Sequence, residues 1–536
     1  MLGFGAAAAP AVAIILNSST AGPSPTGAVL EDVLGATAFY AAGYDGRRAT
    51  VVNIEGGQPW LGQQTLPHVG LMPLYAGTQA HTQDHATGIV HVLGGRGTLP
   101  HRRGLAPGAR LYAGTVNKLR DVSIAFDGPS VGRTYDAAMR GFIPQGGTST
   151  VRADVINSSW GRIGTYTGYD PIVEQMEGLV YRTGTVVVAA AGNSGPHPNR
   201  FGPPGAAMNV ITVGALTSES PPEISPAYNT VAPFSSVSPT HIYFPGQTTI
   251  LTRAAVDLVA PGVHYTVAGY IGPDTPPNWY FGGRSGTSYA SAAVAGGAAL
   301  LVDVGYDRFV TPTDRTAIDT RTVRAVLLNS AAKTDGWHNA AVDHDGVWTT
   351  TQALDLAAGA GRLDLNRAYH QYTAGTTGIT FTGDSAHVAA IGWDFDHISL
   401  TSPTLSYTLE TPLLGGTAFT ATLTWLLQAG YDDALDRGSI TALADLSLEL
   451  LRHTDAGPQV VARSDTVRNN VEHLHLTLPD TGTYSIAVRY GGLEFGSEIG
   501  AAVPFGLAWW GTPVPEPAFA CVWGVLAGCA LTRRRQ

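Results

Sequence analysis

Residues 186–195 read Val-Val-Val-Ala-Ala-Ala-Gly-Asn-Ser-Gly. Six apolar residues without alternation, closed by a Gly-Asn-Ser-Gly turn, describe a strand buried on both faces whose carboxyl end opens into a loop. Working outward, similar short apolar runs lie at 49–54, 109–116, 155–157 and 210–215. Small-residue helical stretches lie at 290–302 and 322–332. The alternation of the two patterns predicts an α/β fold with a mainly parallel sheet flanked by helices. Near residue 375 the period changes. Leu446, Leu448 and Leu450 alternate with Ser447 and Glu449, and Leu474, Leu476 and Leu478 alternate with His475 and Thr477. Tyr484, Ile486, Val488 and Tyr490 continue the pattern. Period-two strands separated by turns such as 479–482 predict an antiparallel β-sandwich.

The chain has 536 residues, too many for one core. The expected division is an export segment at 1–25, an α/β domain at 26–375, a β-sandwich domain at 376–511 and a hydrophobic tail at 512–536. Charged residues are only 13% and glycines number 66, which describes a compact, loop-rich globular protein. The net charge is −10 and no basic run precedes the last few residues, so a nucleic-acid partner has no electrostatic footprint. Lys118 and Lys333 are the only lysines, a bias we ascribe to base composition. Cys521 and Cys529 are the only cysteines. The body of the protein therefore has no disulfide, thiol chemistry or Cys-ligated metal.

Both ends read as addresses. Residues 2–16 form an apolar stretch of signal-peptide length, although no Lys or Arg precedes it. At the other end, Pro513-Val-Pro-Glu-Pro517 is followed by an apolar run at 518–531 and by Arg533, Arg534 and Arg535. The run of 14 is shorter than the ~20 residues that span a bilayer as a helix. The order of parts resembles the PEP-CTERM sorting signal. That resemblance implies an exosortase partner that removes the tail; a plain membrane anchor is the other reading of the segment. The expected location is exported, in the cell envelope or extracellular, with membrane contact through the tail only.

Four islands carry chemistry. The strand 50–54 ends in Glu55-Gly56-Gly57; then come Asp84-His85-Ala86-Thr87-Gly88, the Gly192-Asn193 turn, and Ser285-Gly286-Thr287-Ser288 leading into an Ala-rich helix. A serine hydroxyl needs a base to become a nucleophile, and an imidazole suits that task near neutral pH. A carboxylate fixes the imidazole tautomer, and the oxyanion needs fixed donors. Ser288 at a helix N-terminus has its own N–H and the helix dipole for that purpose. An amide such as Asn193 can supply the second donor. Each island alone reads as an ordinary turn, cap or solvated loop; the combination carries the argument.

The order acid, His, Asn, Ser, with these flanks, resembles the subtilisin-like serine proteases. Further segments agree: 104–112, Asn157-Ser-Ser-Trp-Gly161, 210–215, Phe234-Ser-Ser236, 256–262, 321–332 and 359–361. The resemblance spans roughly residues 40–370. It implies a serine endopeptidase with Ser288 as nucleophile, His85 as general base, Glu55 as the acid and Asn193 as oxyanion donor. It further implies that Ser159, Trp160 and Gly161 pair with the substrate backbone, and that Ala190, Ala191 and Gly192 line a roomy apolar specificity pocket. The expected substrates are polypeptides. No cofactor is required for the chemistry, and family habit leaves room for structural calcium; Asp432, Asp433 and Asp436 are the candidate loop, against the simpler reading that they are solvated.

The chain departs from the family pattern in three places. Glu55 stands where the family has Asp; Asp84 is a rival acid, but its neighbour His85 is awkward for it to reach. Ala292 replaces a proline four residues after the serine. Barely 25 residues separate the export segment from the first core strand, too few for the usual folding propeptide. The related sedolisins use Ser-Glu-Asp, and the presence of His85 and Asn193 argues against them. The competing functional reading is an inactive, envelope-located binding or scaffold protein in which Glu55 fails to support His85.

Overall fold

The structure is a computed structural model that describes residues 30–98, 102–118, 127–162, 165–197, 199–218, 228–246, 251–376, 381–496 and 502–515. The export segment and the apolar tail lie outside the described residues.

The predicted apolar runs form one parallel sheet. Its strands lie in the order Leu258–Pro261, Ile211–Thr217, Val186–Ala190, Val155–Ser158, Thr50–Glu55, Arg110–Thr115 and Gly70–Leu71, every neighbouring pair parallel. Thr230–Val231 adds a short antiparallel pairing to Ile211–Thr217. The runs lack alternation because both faces are covered. Val51, Val155, Val186 and Val188 face one hydrophobic core with helices Asp84–Gly94, Thr287–Arg308 and Thr320–Ser330. Val52, Ile54, Ile156, Val187 and Ala189 face a second core with helices Gly128–Arg140 and Pro171–Thr183. This is the mainly parallel α/β sheet flanked by helices that the sequence predicts.

Helix Thr287–Arg308 runs through the first core and is buried from Thr287 to Gly305. At 22 residues, with an 18-residue stretch of mean hydropathy 1.3, it is long and apolar enough to cross a membrane, but that stretch is buried inside the fold. Its small residues explain the fit: a Cβ on Gly297 would lie 2.7 Å from Leu365.

Beyond helix Leu365–Ala374 the chain forms two sheets, the larger of which also takes in Val342–His344 and Val347–Thr350 from before that helix. Ile391–Ile398, Val503–Trp510, Ala418–Trp425 and Val471–Thr477 form a four-stranded antiparallel sheet. A larger sheet is built around Arg437–Thr454 and Tyr484–Phe495. Leu446, Leu448, Leu450 and Ile486 from the larger sheet share one core with Phe419, Trp425, Phe505 and Trp509 from the smaller. The period-two leucines are buried as read, but so are Glu449, Ser485 and Ala487 on the alternate positions, while Tyr490 is only half-buried. Two pairings in the larger sheet are parallel, Val347–Thr350 with Gly457–Ser464 and Ser385–Val388 with Thr404–Leu409, so it is not antiparallel throughout.

The two halves pack closely. Arg324, from helix Thr320–Ser330, places Nη2 2.5 Å from Asp257 Oδ1 and donates from Nη1 to Met208 O and to Asn470 Oδ1. Asn470 Nδ2 donates to Trp425 O and to Met208 O, and Asn209 exchanges hydrogen bonds with the Leu427 backbone. All of these side chains are buried. Burying charge is costly unless it is paired, so this network ties the C-terminal sheets to the α/β core.

Candidate active site

The site lies at the carboxyl ends of the parallel strands, where open α/β sheets place their crevices. Thr50–Glu55 ends on Glu55 itself. Ser159, Trp160 and Gly161 follow strand Val155–Ser158, and Ala191, Gly192 and Asn193 follow strand Val186–Ala190. His85 occupies the first turn of helix Asp84–Gly94, and Ser288 the first turn of helix Thr287–Arg308. One cleft is lined by His85, Ser288, Asn193, Ser159, Trp160 and Gly161, and by Ala190, Ala191 and Gly192. Except for Glu55, every site residue read from the sequence thus borders a single depression, and Glu55 stands directly behind His85.

Glu55 is fully buried. Its Oε1 accepts the Ser159 N–H at 3.0 Å, and its Oε2 lies 3.4 Å from His85 Nδ1. The Glu55–His85 contact is an ion-pair separation rather than an aligned hydrogen bond; Oε2 and Nδ1 have no other partner among the described residues. Such contacts commonly tighten when substrate binds. The rival acid is committed elsewhere. Asp84 Oδ2 lies 2.6 Å from Arg284 Nη2, and Asp84 Oδ1 accepts the Tyr270 N–H at 2.8 Å. Burial raises the Asp84 carboxyl above its ordinary value, against the lowering effect of the Tyr270 N–H and of Arg284.

The helix that carries Ser288 starts at Gly286, with φ +153 and ψ 153. That conformation favours glycine, and it lets the chain turn sharply into the first helical residue. The Thr287 N–H and hydroxyl both donate to Asn193 Oδ1, at 2.9 and 3.0 Å. A backbone N–H can only donate, so the carbonyl end of the Asn193 amide is fixed toward Thr287 and Nδ2 is the end left for the cleft. Thr287 was not singled out in the sequence, yet it orients the amide. Ser288 Oγ donates to Ser159 O at 3.1 Å. Ser159 Oγ in turn meets Ser288 O and Ser291 Oγ at 2.8 and 2.9 Å. Ser159 thus joins Glu55 and Ser288: its N–H serves the carboxylate and its carbonyl holds the Ser288 hydroxyl. The Trp160 indole N–H donates to Tyr135 OH at 3.0 Å, which anchors that ring in the second core.

The specificity pocket expected to be roomy and apolar shares its cleft with two arginines. Arg162 and Arg200 line the same cleft as Ala190, Ala191 and Gly192. At the candidate calcium loop the three aspartates have protein partners. Asp436 pairs with Arg133 at 2.5 Å, and Asp433 with Arg182 at 2.8 Å and Arg140 at 3.2 Å. Asp432 Oδ1 accepts the Ala434 and Leu435 N–H groups of its own turn. Most of their oxygens thus face arginines or backbone N–H groups, and no cation site is assigned there. Among the described residues no group of three or more His, Cys, Asp or Glu side chains converges on a point.

A family model described as Peptidase S8, subtilase family, matches residues 75–361, more than half of the chain. The chain belongs to the subtilase family. It is 34% identical over 176 residues to serine protease AprX of Bacillus subtilis (strain 168), covering 31% of this chain and 34% of that protein. It is 31% identical over 269 residues to subtilisin DY of Bacillus licheniformis, covering 49% of this chain and 79% of that one. It is 31% identical over 220 residues to a subtilisin of Bacillus sp. (strain TA39), covering 40% and 45%. The chain thus spans only about a third of AprX and less than half of the TA39 subtilisin. Among solved structures it is similar to the prenylagaramide maturation protease PagA, with a TM-score of 0.44, 20% identity, and 63% of this chain and 98% of that chain covered. The self-cleaved protease domain of PatA has a TM-score of 0.43, 22% identity, and coverage of 60% and 96%. The family match includes His85, Asn193 and Ser288 but begins after Glu55.

Proposed function

We propose that the chain is a serine endopeptidase that hydrolyses peptide bonds through a Ser288-His85-Glu55 triad and an acyl-enzyme. The observation that carries the reading is the Glu55–His85 approach of 3.4 Å directly behind a cleft that His85, Ser288 and Asn193 share. In the reaction Ser288 Oγ leaves Ser159 O and turns to His85. The imidazole takes its proton as the oxygen attacks the scissile carbonyl carbon. The Ser288 N–H, near the free end of its helix, and Asn193 Nδ2 bind the oxyanion. His85 then protonates the leaving amine, and a water repeats the sequence to release the acid. Glu55 holds the proton on Nδ1 and stabilises the imidazolium, while the Ser159 N–H keeps its carboxylate in place.

In the same reading, residues 26–375 form the catalytic domain and 376–511 a β-sandwich domain whose main role is structural, given its buried ties to Arg324 and Asn209. Residues 1–25 direct export. The tail at 512–536 is a PEP-CTERM-type signal, processed by an exosortase-type enzyme and touching the membrane only until then. The enzyme works in the envelope or outside the cell, on polypeptides.

An inactive scaffold, in which Glu55 fails to support His85, is the competing reading, favoured by the unaligned 3.4 Å Glu55–His85 contact and by the resting Ser288 hydroxyl facing Ser159 O. Labelling with a serine-directed fluorophosphonate separates the two. The peptidase reading expects one adduct, on Ser288, that Ser288→Ala abolishes. No adduct, or one that survives that substitution, defeats it.

A further inference from the structure

The cleft carries two arginines in a chain whose net charge is −10. They are not equivalent. Arg162 pairs with the buried Asp170, which also caps helix Pro171–Thr183 by accepting the Ile172 N–H at 2.8 Å. Its charge is matched within the fold. Arg200 is exposed and makes no ion pair among the described residues. Its segment bridges the two strand-end walls of the cleft. A Cβ on Gly202 would lie 2.1 Å from Arg162 O, and one on Gly192 would lie 3.6 Å from Arg200 O. Among the residues lining the cleft there is no carboxylate. Glu55 stands behind His85, committed to the Ser159 N–H and facing Nδ1.

A cleft bordered by an arginine without an ion pair among the described residues, and by no carboxylate, favours a ligand that brings one. Arginine also suits this pairing, because its planar fork can hold a carboxylate through two hydrogen bonds. We propose that the substrate side chain entering the cleft beside Ala190, Ala191 and Gly192 is acidic, an aspartate or glutamate on the acyl side of the scissile bond, and that Arg200 is the residue that selects it. The inference rests on the peptidase reading and extends it to a substrate class.

The test uses the full chain and a matched set of fluorogenic peptides that differ only at that position: Glu, Gln, Leu and Lys. Binding of the same peptides to Ser288→Ala is measured alongside, so that selection is read even where no bond is cut. The expected result is kcat/KM about three- to tenfold higher for Glu than for Gln, lowest for Lys, with the gap narrowing as salt screens the pair. Binding to Ser288→Ala should follow the same order. Arg200→Gln should level Glu and Gln, and Arg200→Glu should place Lys above Glu. A Leu peptide preferred over Glu, or an order that Arg200→Glu leaves unchanged, overturns the proposal. Charge selection in binding without any cleavage would defeat the peptidase reading alone; cleavage without charge selection would defeat this inference alone.

Discussion

Replacing Glu55 by glutamine tests the acid with its shape preserved. The Ser159 N–H decides how the new amide sits. It needs an acceptor, and it now points at Oε1 from 3.0 Å. In Glu55→Gln the amide carbonyl must therefore stay with Ser159, which turns the amide NH₂ toward His85 Nδ1, 3.4 Å from the present Oε2. A donor there forces Nδ1 to give up its proton. The proton moves to Nε2, the nitrogen that must accept from Ser288. The expected loss is that of a triad holding the wrong tautomer, ~10³–10⁴ in kcat with little change in KM. This corresponds to about 4–5.5 kcal/mol of barrier. Glu55→Asp keeps the charge and shortens the reach by one methylene, and activity within about tenfold is expected. The assay is steady-state hydrolysis of a fluorogenic peptide, corrected for active sites and paired with a thermal melt. A Glu55→Gln enzyme that folds and keeps kcat within tenfold would refute the reasoning, and would show that Glu55 is a buried structural acid.

Three further predictions follow from the same contacts. Asn193→Ala should lower kcat by ~10²–10³ with KM nearly unchanged, a magnitude borrowed from removal of the oxyanion asparagine in a subtilisin; a larger effect on KM than on kcat would argue against an oxyanion role. Arg324→Met strands the buried Asp257 carboxylate and should cost about 3–5 kcal/mol in chemical denaturation, with Arg324→Met/Asp257→Asn recovering part of it; a change below about 1 kcal/mol would mean that the junction does not depend on this pair. Burial pushes the Glu472 carboxyl up to about 8, against the lowering effect of hydrogen bonds from Ser464 and Thr466. A carboxyl raised on folding contributes stability that is full below its unfolded value and is lost as pH rises through about 8, so the parent should lose stability relative to Glu472→Gln between about pH 5 and 8; parallel pH profiles would contradict this.

Much of the architecture is legible because burial on both faces leaves a plain mark. Val186 to Ala191 show no alternation, and the structure puts Val186 and Val188 in one core and Val187 and Ala189 in the other. The helix read at 290–302 extends over Thr287–Arg308. Its ends were hidden by polar residues that the fold satisfies: Thr287 caps back to Asn193, and the buried Asp303 pairs with Arg48 at 3.0 Å. The parallel pairings at 347–350 and 385–388 leave no local trace, since their partners come from distant chain. His85, Asn193 and Ser288 could be found because their flanks are short and constrained. The roles of Ser159 and Thr287 in holding Glu55 and Asn193 could not, because one backbone N–H looks like another in a sequence. Arg162 and Arg200 sit in loops where arginine usually means solvent, and only folding brings both to the cleft.

A peptidyl chloromethyl ketone tests most directly whether hydroxyl and imidazole act on one substrate. Its carbonyl carbon must be met by Ser288 Oγ while its methylene alkylates Nε2 of His85. Peptide mapping by mass spectrometry should find His85 alkylated in the parent, and unmodified when Ser288 is alanine. Alkylation at another histidine, or at His85 regardless of Ser288, would contradict the account.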